Sequence, residues 1–231
     1  MYIYGKNVVK EKITSNEKIN KAYISERFND REIITLLKNY KIKYTIVPDK
    51  FLNTKVDGLH QGIVLDVDDV KTEEFDYIKT IKKENPIIVM LDHLEDPHNF
   101  GAIIRTCEAL GIDAIIIPND RTVNITGTVV KTSAGAIYNI KIVRVVNLNT
   151  CIKKLKELGY WIIGTDMEGT DYRKIDYNMP TCLIIGNEGK GMSKVLKDNC
   201  DFIASIPMNG EINSLNASVS AGIILSKIVS R

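Results

Sequence analysis

The chain has 231 residues, of which 44% are hydrophobic and 26% are charged, and its formal net charge is +2. This length permits one large domain or two modest ones, and the composition is that of a globular protein. No run of about 18 apolar residues predicts a membrane span. The N-terminus has no continuous apolar segment of the kind a signal peptide requires. We therefore expect a cytoplasmic protein.

The cysteines do not form a metal-binding or disulfide pattern. Cys107, Cys151, Cys182 and Cys200 are separated by 44, 31 and 18 positions, and no CxxC pair occurs. The three histidines do not complete a metal-ligand spacing either. The sequence thus predicts no metal site, and buried thiols in the reduced state.

Positive charge is concentrated at the N-terminal end. Residues 1–55 contain 12 Lys and Arg against 6 Asp and Glu, whereas residues 86–231 contain 15 of each. A basic unit fits a polyanionic partner such as RNA, because neutralising phosphates supplies affinity. A solvated Lys-rich surface explains the charge excess equally well.

The first 70 residues predict a small α/β unit in which helices separate strands. In chain order the patterns indicate a helix at 5–13, a strand at 19–25, a helix at 30–40 with Asp30 as N-cap, and strands at 43–48 and 60–67. A charged stretch then ends in Pro86, which disfavours helix just before it. We predict domains at 1–70 and 85–231, joined by a linker or boundary helix at 71–84.

From residue 86 onward, strand and helix patterns alternate. Strands are predicted at 86–92, 113–118, 140–146, 160–166, 181–186 and 201–207, with helices at 100–111, 126–136, 149–159 and 217–229. Short runs such as AIII and LIIG are typical of strands covered on both faces, so the sheet should be parallel. The last helix is apolar around most of its circumference, which favours packing against a second subunit.

Ligands gather beyond the carboxyl ends of parallel strands, and three such loops carry residues that are not needed for folding. In the first loop, Asn99 lies where it could cap the helix that follows, and Arg105 points away from that helix's apolar face. Considered alone, this loop is also explained if Asn99 is only a helix cap and Arg105 only a solvated surface charge. Arg121, after the next strand, is either a second RNA contact or a surface charge.

The second loop, GNEGKGM, places three glycines within six positions around the carboxylate of Glu188. Gly186, Gly189 and Gly191 give GxxGxG rather than GxGxxG, and Met192 stands where a P-loop requires lysine. Both phosphate-binding motifs therefore fail. A tight turn would also explain these glycines.

The third loop, SIPMNGEINSLNAS at 205–218, combines three Asn, three Ser, a Gly and a Glu between two apolar elements. Asn216 or Ser218 could cap the last helix, which explains one polar residue but not the group. Exposed main-chain amides beside small side chains suit hydrogen bonding to an adenine or ribose edge.

Taken together, the three loops resemble motifs 1, 2 and 3 of the SpoU (TrmH) family of RNA ribose 2′-O-methyltransferases, within the SPOUT class. The resemblance spans residues 86–231 and is carried by NFGAIIRTCEALG, IIGNEGKGM and IPMNGEINSLNASVSAGI. Residues 1–70, which open YGKNVVKE and end GLHQGIV, are similar to the small L30e-like substrate-binding domain of the subgroup that methylates a guanosine of 23S rRNA.

The resemblance implies an α/β fold whose C-terminal domain is a parallel sheet with a deep trefoil knot. It also implies S-adenosylmethionine as cofactor, RNA as partner and a homodimer formed through the C-terminal domain. The catalytic residues it implies are Asn99, Arg105, Glu188, Ser214 and Asn216. The cofactor-binding residues it implies are Thr165, Gly186, Ile206, Met208, Ser214, Leu215 and Asn216.

The expected reaction is 2′-O-methylation of a ribose, with a guanosine of 23S rRNA as first choice of target. Family proposals make the motif-1 arginine the base, but a guanidinium with a pKa above about 12 is an awkward base. We therefore expect Arg105 to hold the RNA phosphate, while Glu188 and Asn99 orient Arg105 or the ribose. A tRNA ribose methyltransferase, an antibiotic-resistance rRNA methylase and a non-enzymatic RNA-binding ribosome-assembly module remain alternatives.

Overall fold

The computed structural model describes residues 1–211 and 214–230 and contains two β-sheets flanked by helices. The N-terminal unit holds a four-stranded sheet in the order β1-β4-β2-β3. Strand β3 is parallel to β2, and the other pairs are antiparallel. Its elements are β1 (Tyr2–Tyr4), α1 (Lys6–Thr14), β2 (Ile19–Ser25), α2 (Arg31–Asn39), β3 (Tyr44–Val47), α3 (Asp49–Asn53) and β4 (Ile63–Val67).

Local chemistry explains why these elements begin where they do. The Asp30 carboxylate accepts a hydrogen bond from the Ile33 N–H at 3.2 Å, so Asp30 is the N-cap of α2 that the sequence predicts. Ile33 and Leu37 then form the fully buried face of that helix. The sequence patterns miss β1 and α3, because elements of three and five residues are too short to show a period.

The segment expected to be a linker is packed against the second sheet. It forms a 3-10 helix over Phe75–Thr80, in which Ile78 is 2% exposed. Glu73 pairs with the edge of that sheet at Val143: its N–H donates to Ile142 O at 2.8 Å and its carbonyl accepts from Arg144 N at 2.9 Å. This connection is therefore held along its length rather than freely hinged.

The C-terminal unit is built on a six-stranded sheet in the order β10-β8-β9-β5-β6-β7. All of its strand pairs are parallel, which confirms the sequence prediction. Its strands are β5 (Ile87–Leu91), β6 (Ala114–Pro118), β7 (Ile142–Val145), β8 (Trp161–Asp171), β9 (Thr181–Ile185) and β10 (Phe202–Ser205). Strands β5, β6 and β9 are buried at every position, as expected for strands covered on both faces.

The helices of this unit are α4 (Pro97–Ala109), α5 (Gly127–Thr132), α6 (Leu148–Glu157), α7 (Lys194–Lys197) and α8 (Ala217–Val229), with 3-10 turns at Ala136–Tyr138 and Tyr172–Lys174. Helices α4 and α6 end as their sequences indicate, whereas α5 ends at Thr132, short of the predicted 136. Gly111 and Gly159 follow α4 and α6 with φ of 68° and 86°, which is the left-handed conformation that commonly ends a helix.

The two units share one hydrophobic core. A single cluster of buried side chains includes Ile3 and Val9 from the N-terminal unit and Val129 and Val130 from α5. Gly127 allows this contact, because a Cβ at that position would lie 2.1 Å from the Tyr2 carbonyl oxygen. Together with the packed connection, this contact fixes the N-terminal sheet against α5.

Candidate functional site

The loops that follow β9 and β10, residues 165–167 of β8 and the N-terminal half of α8 enclose a cavity of about 410 Å³ at the carboxyl edge of the parallel sheet. Strand β8 contributes because its ladder with β10 is interrupted between Gly164 and Thr170, so that residues 165–167 turn along the cavity wall. The lining residues come from these segments and from the ends of β9 and β10: Thr165, Asp166, Met167, Ile185, Gly186, Asn187, Glu188, Gly189, Lys190, Gly191, Ala204, Ile206, Met208, Ser214, Leu215, Ala217, Ser220 and Ile224.

Hydrogen bonds of Asn187 hold the glycine loop after β9 closed. The main chains of Asn187 and Gly191 exchange hydrogen bonds of 3.0 and 2.9 Å. The Asn187 side-chain oxygen accepts from the N–H groups of Gly189 and Lys190, at 3.0 and 3.2 Å. Its amide nitrogen donates to the His93 carbonyl at 2.8 Å, so the loop is also tied to the end of β5.

A buried carboxylate fixes the far end of the same loop. Asp92 is 2% exposed, and its Oδ2 accepts from the Ser193 N–H at 2.7 Å. Its Oδ1 lies 2.6 Å from His93 Nδ1. The geometry of the glycine loop therefore depends on Asp92 and Asn187, neither of which the sequence identified. The signal was present, since both directly follow apolar strands in LDH and IIGN.

A second cavity of about 530 Å³ adjoins the first, and Asn187, Glu188, Gly189, Lys190, Leu215 and Ala217 line both. Across it, a chain of side-chain hydrogen bonds joins three loops. Asn216 Nδ2 donates to Asn99 Oδ1 at 2.8 Å, and Asn99 Nδ2 donates to Glu188 Oε1 at 3.1 Å. Glu188 Oε1 also accepts from the Asp96 N–H at 3.4 Å. The three predicted residues therefore form one unit.

The orientation of the side-chain amides in this hydrogen-bond network is fixed at Asn216, the N-cap of α8. Asn216 caps α8, because its Oδ1 accepts from the N–H groups of Ser218 and Val219 at 2.8 and 3.3 Å. A main-chain N–H can only donate, so the Asn216 amide nitrogen must face Asn99, and the Asn99 amide nitrogen must face Glu188. The capping prediction for Asn216 is confirmed, and the same side chain also serves the cavity.

The capping interpretation of Asn99 is wrong. Helix α4 begins at Pro97, and Asp96 is its N-cap, with Oδ1 accepting from the His98 N–H at 2.8 Å. Proline suits the first position of a helix, where no N–H partner is needed, so Asp96-Pro97 sets the start. Asn99 lies inside the first turn and is 7% exposed, which directs its side chain to Glu188 and Asn216 instead.

The predicted catalytic and cofactor-binding residues divide between the two cavities, which share Glu188 and Leu215. Thr165, Gly186, Ile206, Met208, Ser214 and Leu215 line the first cavity, whereas Asn99 and Asn216 line the second. Arg105 is exposed on α4 and belongs to neither set of described lining residues. It lies six residues after Asn99, which is about 9 Å along the helix axis. The structure thus unites all the predicted residues except Arg105.

Main-chain and apolar groups in the third loop are left open at the first cavity. Residues 208–211 and 214–215 donate no main-chain hydrogen bond to the described part of the chain. Met208 and Leu215 are 38% and 37% exposed and line the wall. Free amides beside apolar side chains suit a ligand with a flat heterocycle and hydrogen-bonding edges, which fits an adenosyl group.

Asp166 is a further polar group in the first cavity that the sequence did not single out. Burial opposes its ionisation, but a hydrogen bond from the Glu168 N–H and an ion pair with Lys197 at 2.9 Å outweigh burial, so its pKa is lowered. The Asp166 carboxylate therefore stays charged at neutral pH. It adds negative charge to a cavity that Glu188 also lines.

The cysteines take no part in this site. All four are free, and Cys107, Cys151 and Cys182 are buried, as the sequence predicted. Burial raises the pKa of the Cys151 and Cys200 thiols to about 12, so neither supplies a thiolate at neutral pH. Within residues 1–211 and 214–230, no group of three or more His, Cys, Asp and Glu is arranged to hold a metal ion. No helix in that part of the chain is long and apolar enough to cross a membrane.

Two family models match the chain, one for each unit. The SpoU rRNA Methylase family matches residues 86–226, and the model for RNA 2′-O ribose methyltransferase substrate binding matches residues 2–73. The parallel sheet with converging loops is thus the methyltransferase domain of an SpoU protein. The chain belongs to the SpoU, or TrmH, family of RNA methyltransferases, and it carries an N-terminal substrate-binding domain.

Curated relatives match over almost the whole chain. YacO of Bacillus subtilis, described as a TrmH family tRNA/rRNA methyltransferase, is 42% identical to this chain. The alignment covers 98% of this chain and 94% of YacO. A protein of Staphylococcus aureus with the same description is 40% identical, with the same coverage.

Solved structures share the fold. The SpoU methyltransferase AviRb from Streptomyces viridochromogenes, crystallised with AdoMet, superposes with a TM-score of 0.81 at 23% identity and covers 100% of this chain and 89% of its own. An AdoMet-bound rRNA methyltransferase from Sinorhizobium meliloti has a TM-score of 0.76 at 25% identity, covering 98% and 85%. The A. aeolicus TrmH/SpoU tRNA modifying enzyme has a TM-score of 0.57 at 32% identity, and the match covers 64% of this chain and 76% of that enzyme.

Proposed function

We propose that this protein transfers the methyl group of S-adenosylmethionine to the 2′-hydroxyl of a ribose in RNA, with a guanosine of 23S rRNA as the favoured target. One observation carries the proposal. Two adjoining cavities share the carboxylate of Glu188, so a cofactor in the first and a ribose in the second would meet beside it. A substrate-binding unit fused to the methyltransferase domain favours a large RNA such as rRNA.

The first cavity suits S-adenosylmethionine. Ile206, Met208 and Leu215 would contact the adenine, and the free amides of residues 208–211 would bind its edge. The carboxylates of Asp166 and Glu188 complement a ligand that carries a positive sulfonium and an ammonium group. When bound, the cofactor supplies an electrophilic methyl group, so the protein needs only to align the hydroxyl and accept its proton.

Glu188 is the residue best placed to act on the ribose. Its Oε1 is occupied by Asn99 and Asp96, whereas Oε2 accepts no hydrogen bond from the described residues. A carboxylate fixed through one oxygen can accept the 2′-hydroxyl proton, or hold the hydroxyl, through the other. Alignment of this kind can lower a barrier by about 7–11 kcal/mol.

We assign Asn99 and Asn216 the task of orienting Glu188, and Ser214 the task of supporting the cavity wall. Arg105 would hold an RNA phosphate by its two-pronged guanidinium. Helical side chains lean toward the N-terminus of the helix, so Arg105 can reach from its position toward the Asn99 end of α4. In this role Arg105 acts on the substrate without lining either cavity.

We also propose that the protein is a homodimer through α8. Val219 on this helix is 48% exposed, although the helix carries apolar residues on most sides. A dimer would cover that surface. We retain domain limits of 1–70 and 85–231, and we infer the trefoil knot from membership of the SpoU family. An rRNA substrate would make the cytoplasm the working compartment.

The decisive experiment is mass mapping of ribose methylation in rRNA and tRNA from cells with and without the gene. We expect one 2′-O-methylated guanosine of 23S rRNA to lose its methyl group in the deleted strain and to regain it when the gene is restored. Loss of a tRNA methyl group instead would assign the alternative substrate. Identical maps would contradict the proposed activity.

A further inference from the structure

The loop at residues 57–62 of the substrate-binding unit holds an apolar side chain in a fixed position. His60 Nδ1 accepts from the Gly62 N–H at 2.9 Å, so its Nε2 donates to Asn53 Oδ1 at 3.0 Å. Gln61, with φ of 55°, accepts from the Lys6 N–H at 2.9 Å. Between these contacts, Leu59 is 73% exposed. The loop is thus rigid, whereas the side chain at its tip is open to solvent.

This loop is connected to the proposed active site through α5. Lys131 Nζ donates to the Leu59 carbonyl at 2.8 Å and lies 4.8 Å from the Tyr4 ring centroid. The next residue, Thr132, places its hydroxyl 3.4 Å from His98 Nδ1. His98 directly precedes Asn99 on α4. The main chain at Leu59 is therefore linked through α5 to α4, the helix that carries Asn99.

The surroundings of Leu59 fit a nucleic acid better than a protein partner. An isolated apolar side chain lacks the area of a few hundred Å² that marks a protein-docking patch. Its carbonyl is bound to a lysine, and Leu59 lies within residues 2–73, which match the RNA 2′-O ribose methyltransferase substrate-binding model. Proteins that distort nucleic acids insert apolar side chains between bases, with cations nearby to contact phosphates.

We propose that Leu59 is an apolar wedge that packs between RNA bases next to the target nucleotide and helps to separate that nucleotide from its neighbours. The inference rests on the proposed function, because the partner is the RNA substrate. In this arrangement the target nucleotide leaves the base stack and its ribose hydroxyl enters the second cavity. A preformed wedge performs this step without ordering a flexible loop on binding.

The test compares Leu59→Ala with Leu59→Met and with Ile46→Ala. Ile46 is 61% exposed on β3 of the same unit, so its replacement is a matched loss of an exposed aliphatic side chain. The probe is 23S rRNA isolated from cells that lack the gene, with excess duplex DNA as competitor. Binding is measured over a series of salt concentrations, and unfolding temperatures are compared to verify that all variants fold.

We expect Leu59→Ala to raise the Kd about tenfold, the size of one lost stacking contact. The slope of log Kd against log salt should not change, because no charge is removed. Leu59→Met and Ile46→Ala should bind the RNA with the same Kd as the wild-type protein. In addition, 2-aminopurine placed beside the mapped target should brighten on binding to the unchanged protein and not on binding to Leu59→Ala.

Equal Kd values for Leu59→Ala and the wild-type protein would overturn the proposed role of Leu59. An equal loss of RNA affinity in Ile46→Ala would overturn it as well. The same preparations are assayed for transfer of tritiated methyl groups. If the unchanged protein binds RNA but transfers no methyl group, the proposed activity fails, and the Kd comparison still decides the role of Leu59. Failure of the two ideas is therefore distinguishable.

Discussion

The cavities and the surface of the N-terminal unit use polar side chains in opposite ways. At the cavities, Asp92, Asn99 and Asn187 each bond to a segment 101, 89 or 94 residues away in the chain. On the N-terminal surface, Lys41 and Lys43 are exposed and form no ion pair with the described residues. One region consists of fixed, mutually dependent groups. The other includes charges with no ion-pair partner among the described residues. Further lysines of the same unit are paired: Lys6, Lys10, Lys12 and Lys18.

This difference predicts different consequences of mutation. Residues in one hydrogen-bond network act together, so removal of any one displaces the others and the effects are not additive. Free lysines contribute to RNA affinity independently, and salt weakens their contribution. Substitutions in the first region should therefore change the methyl-transfer rate, and substitutions in the second should change the salt dependence of binding.

The largest effect is expected for Arg105→Ala. This variant tests whether a residue outside the cavities affects the methyl-transfer rate as the hydrogen-bonded cavity residues should. Loss of the Arg105 contact with the RNA phosphate should lower the single-turnover methyl-transfer rate by about 10³-fold, because that contact aligns the 2′-hydroxyl with the methyl group. Cofactor affinity, measured by calorimetry, should not change. Arg105→Lys should retain part of the rate, since it keeps the charge but not the two-pronged geometry. An unchanged rate would remove Arg105 from the mechanism.

Asn99→Ala should lower the same rate by about 10²-fold, because a small displacement of a reacting group is enough for such a loss. It releases Glu188 from Asn216 without removing the carboxylate. Asn139→Ala is the matched control, since the Asn139 amide contacts Glu108 on the exposed surface at 3.5 Å. Equal rates in the two variants would show that the chain of three side chains does not position Glu188.

Replacing Lys41 and Lys43 together by Ala should weaken RNA binding without changing the methyl-transfer rate at saturating RNA. If both lysines contact phosphates of single-stranded RNA, the slope of log K against log salt should decrease by about 1.4. Lys82→Ala with Lys153→Ala removes two exposed charges outside the N-terminal unit and serves as control. The same loss of slope in that control would mean that the N-terminal surface has no special role.

The smallest effect is expected for Asp166→Asn and concerns stability. The folded-state pKa of Asp166 is lowered, so its contribution is complete above the ordinary pKa of about 3.9 and is lost as pH falls through the lowered value. We expect the unfolding free energy to decrease by about 0.5–1 kcal/mol above pH 5, as for a partly exposed ion pair. Denaturant titrations at several pH values, with Asp120→Asn as control, would show whether the difference disappears in acid.

The sequence predicts most of the fold because the strands of the C-terminal sheet are buried on both faces and read as apolar runs. It also predicts the caps at Asp30 and Asn216, since these depend on neighbouring residues. It misses β1, whose three residues are too few to show alternation. It extends α5 too far, because the predicted helix runs over 126–136 whereas the helix ends in the structure at Thr132.

The sequence predicts which residues belong to the site but not the hydrogen bonds that join them. The three loops could be identified one by one, but the bond from Asn99 to Glu188 spans 89 residues and has no local signature. The clamp formed by Asp92 was overlooked for the same reason. Its partner Ser193 is adjacent only after β5 and β9 pair.

The tight contact at Gly127 has a consequence for cofactor binding. Because the Tyr2 carbonyl leaves no space for a methyl group there, and because buried side chains from both units form one cluster, the N-terminal sheet should melt together with the methyltransferase domain. A ligand at 100 times its Kd stabilises a folded protein by about 2.7 kcal/mol. Amides in β2 and β4, far from either cavity, should therefore exchange hydrogen more slowly once the cofactor is bound.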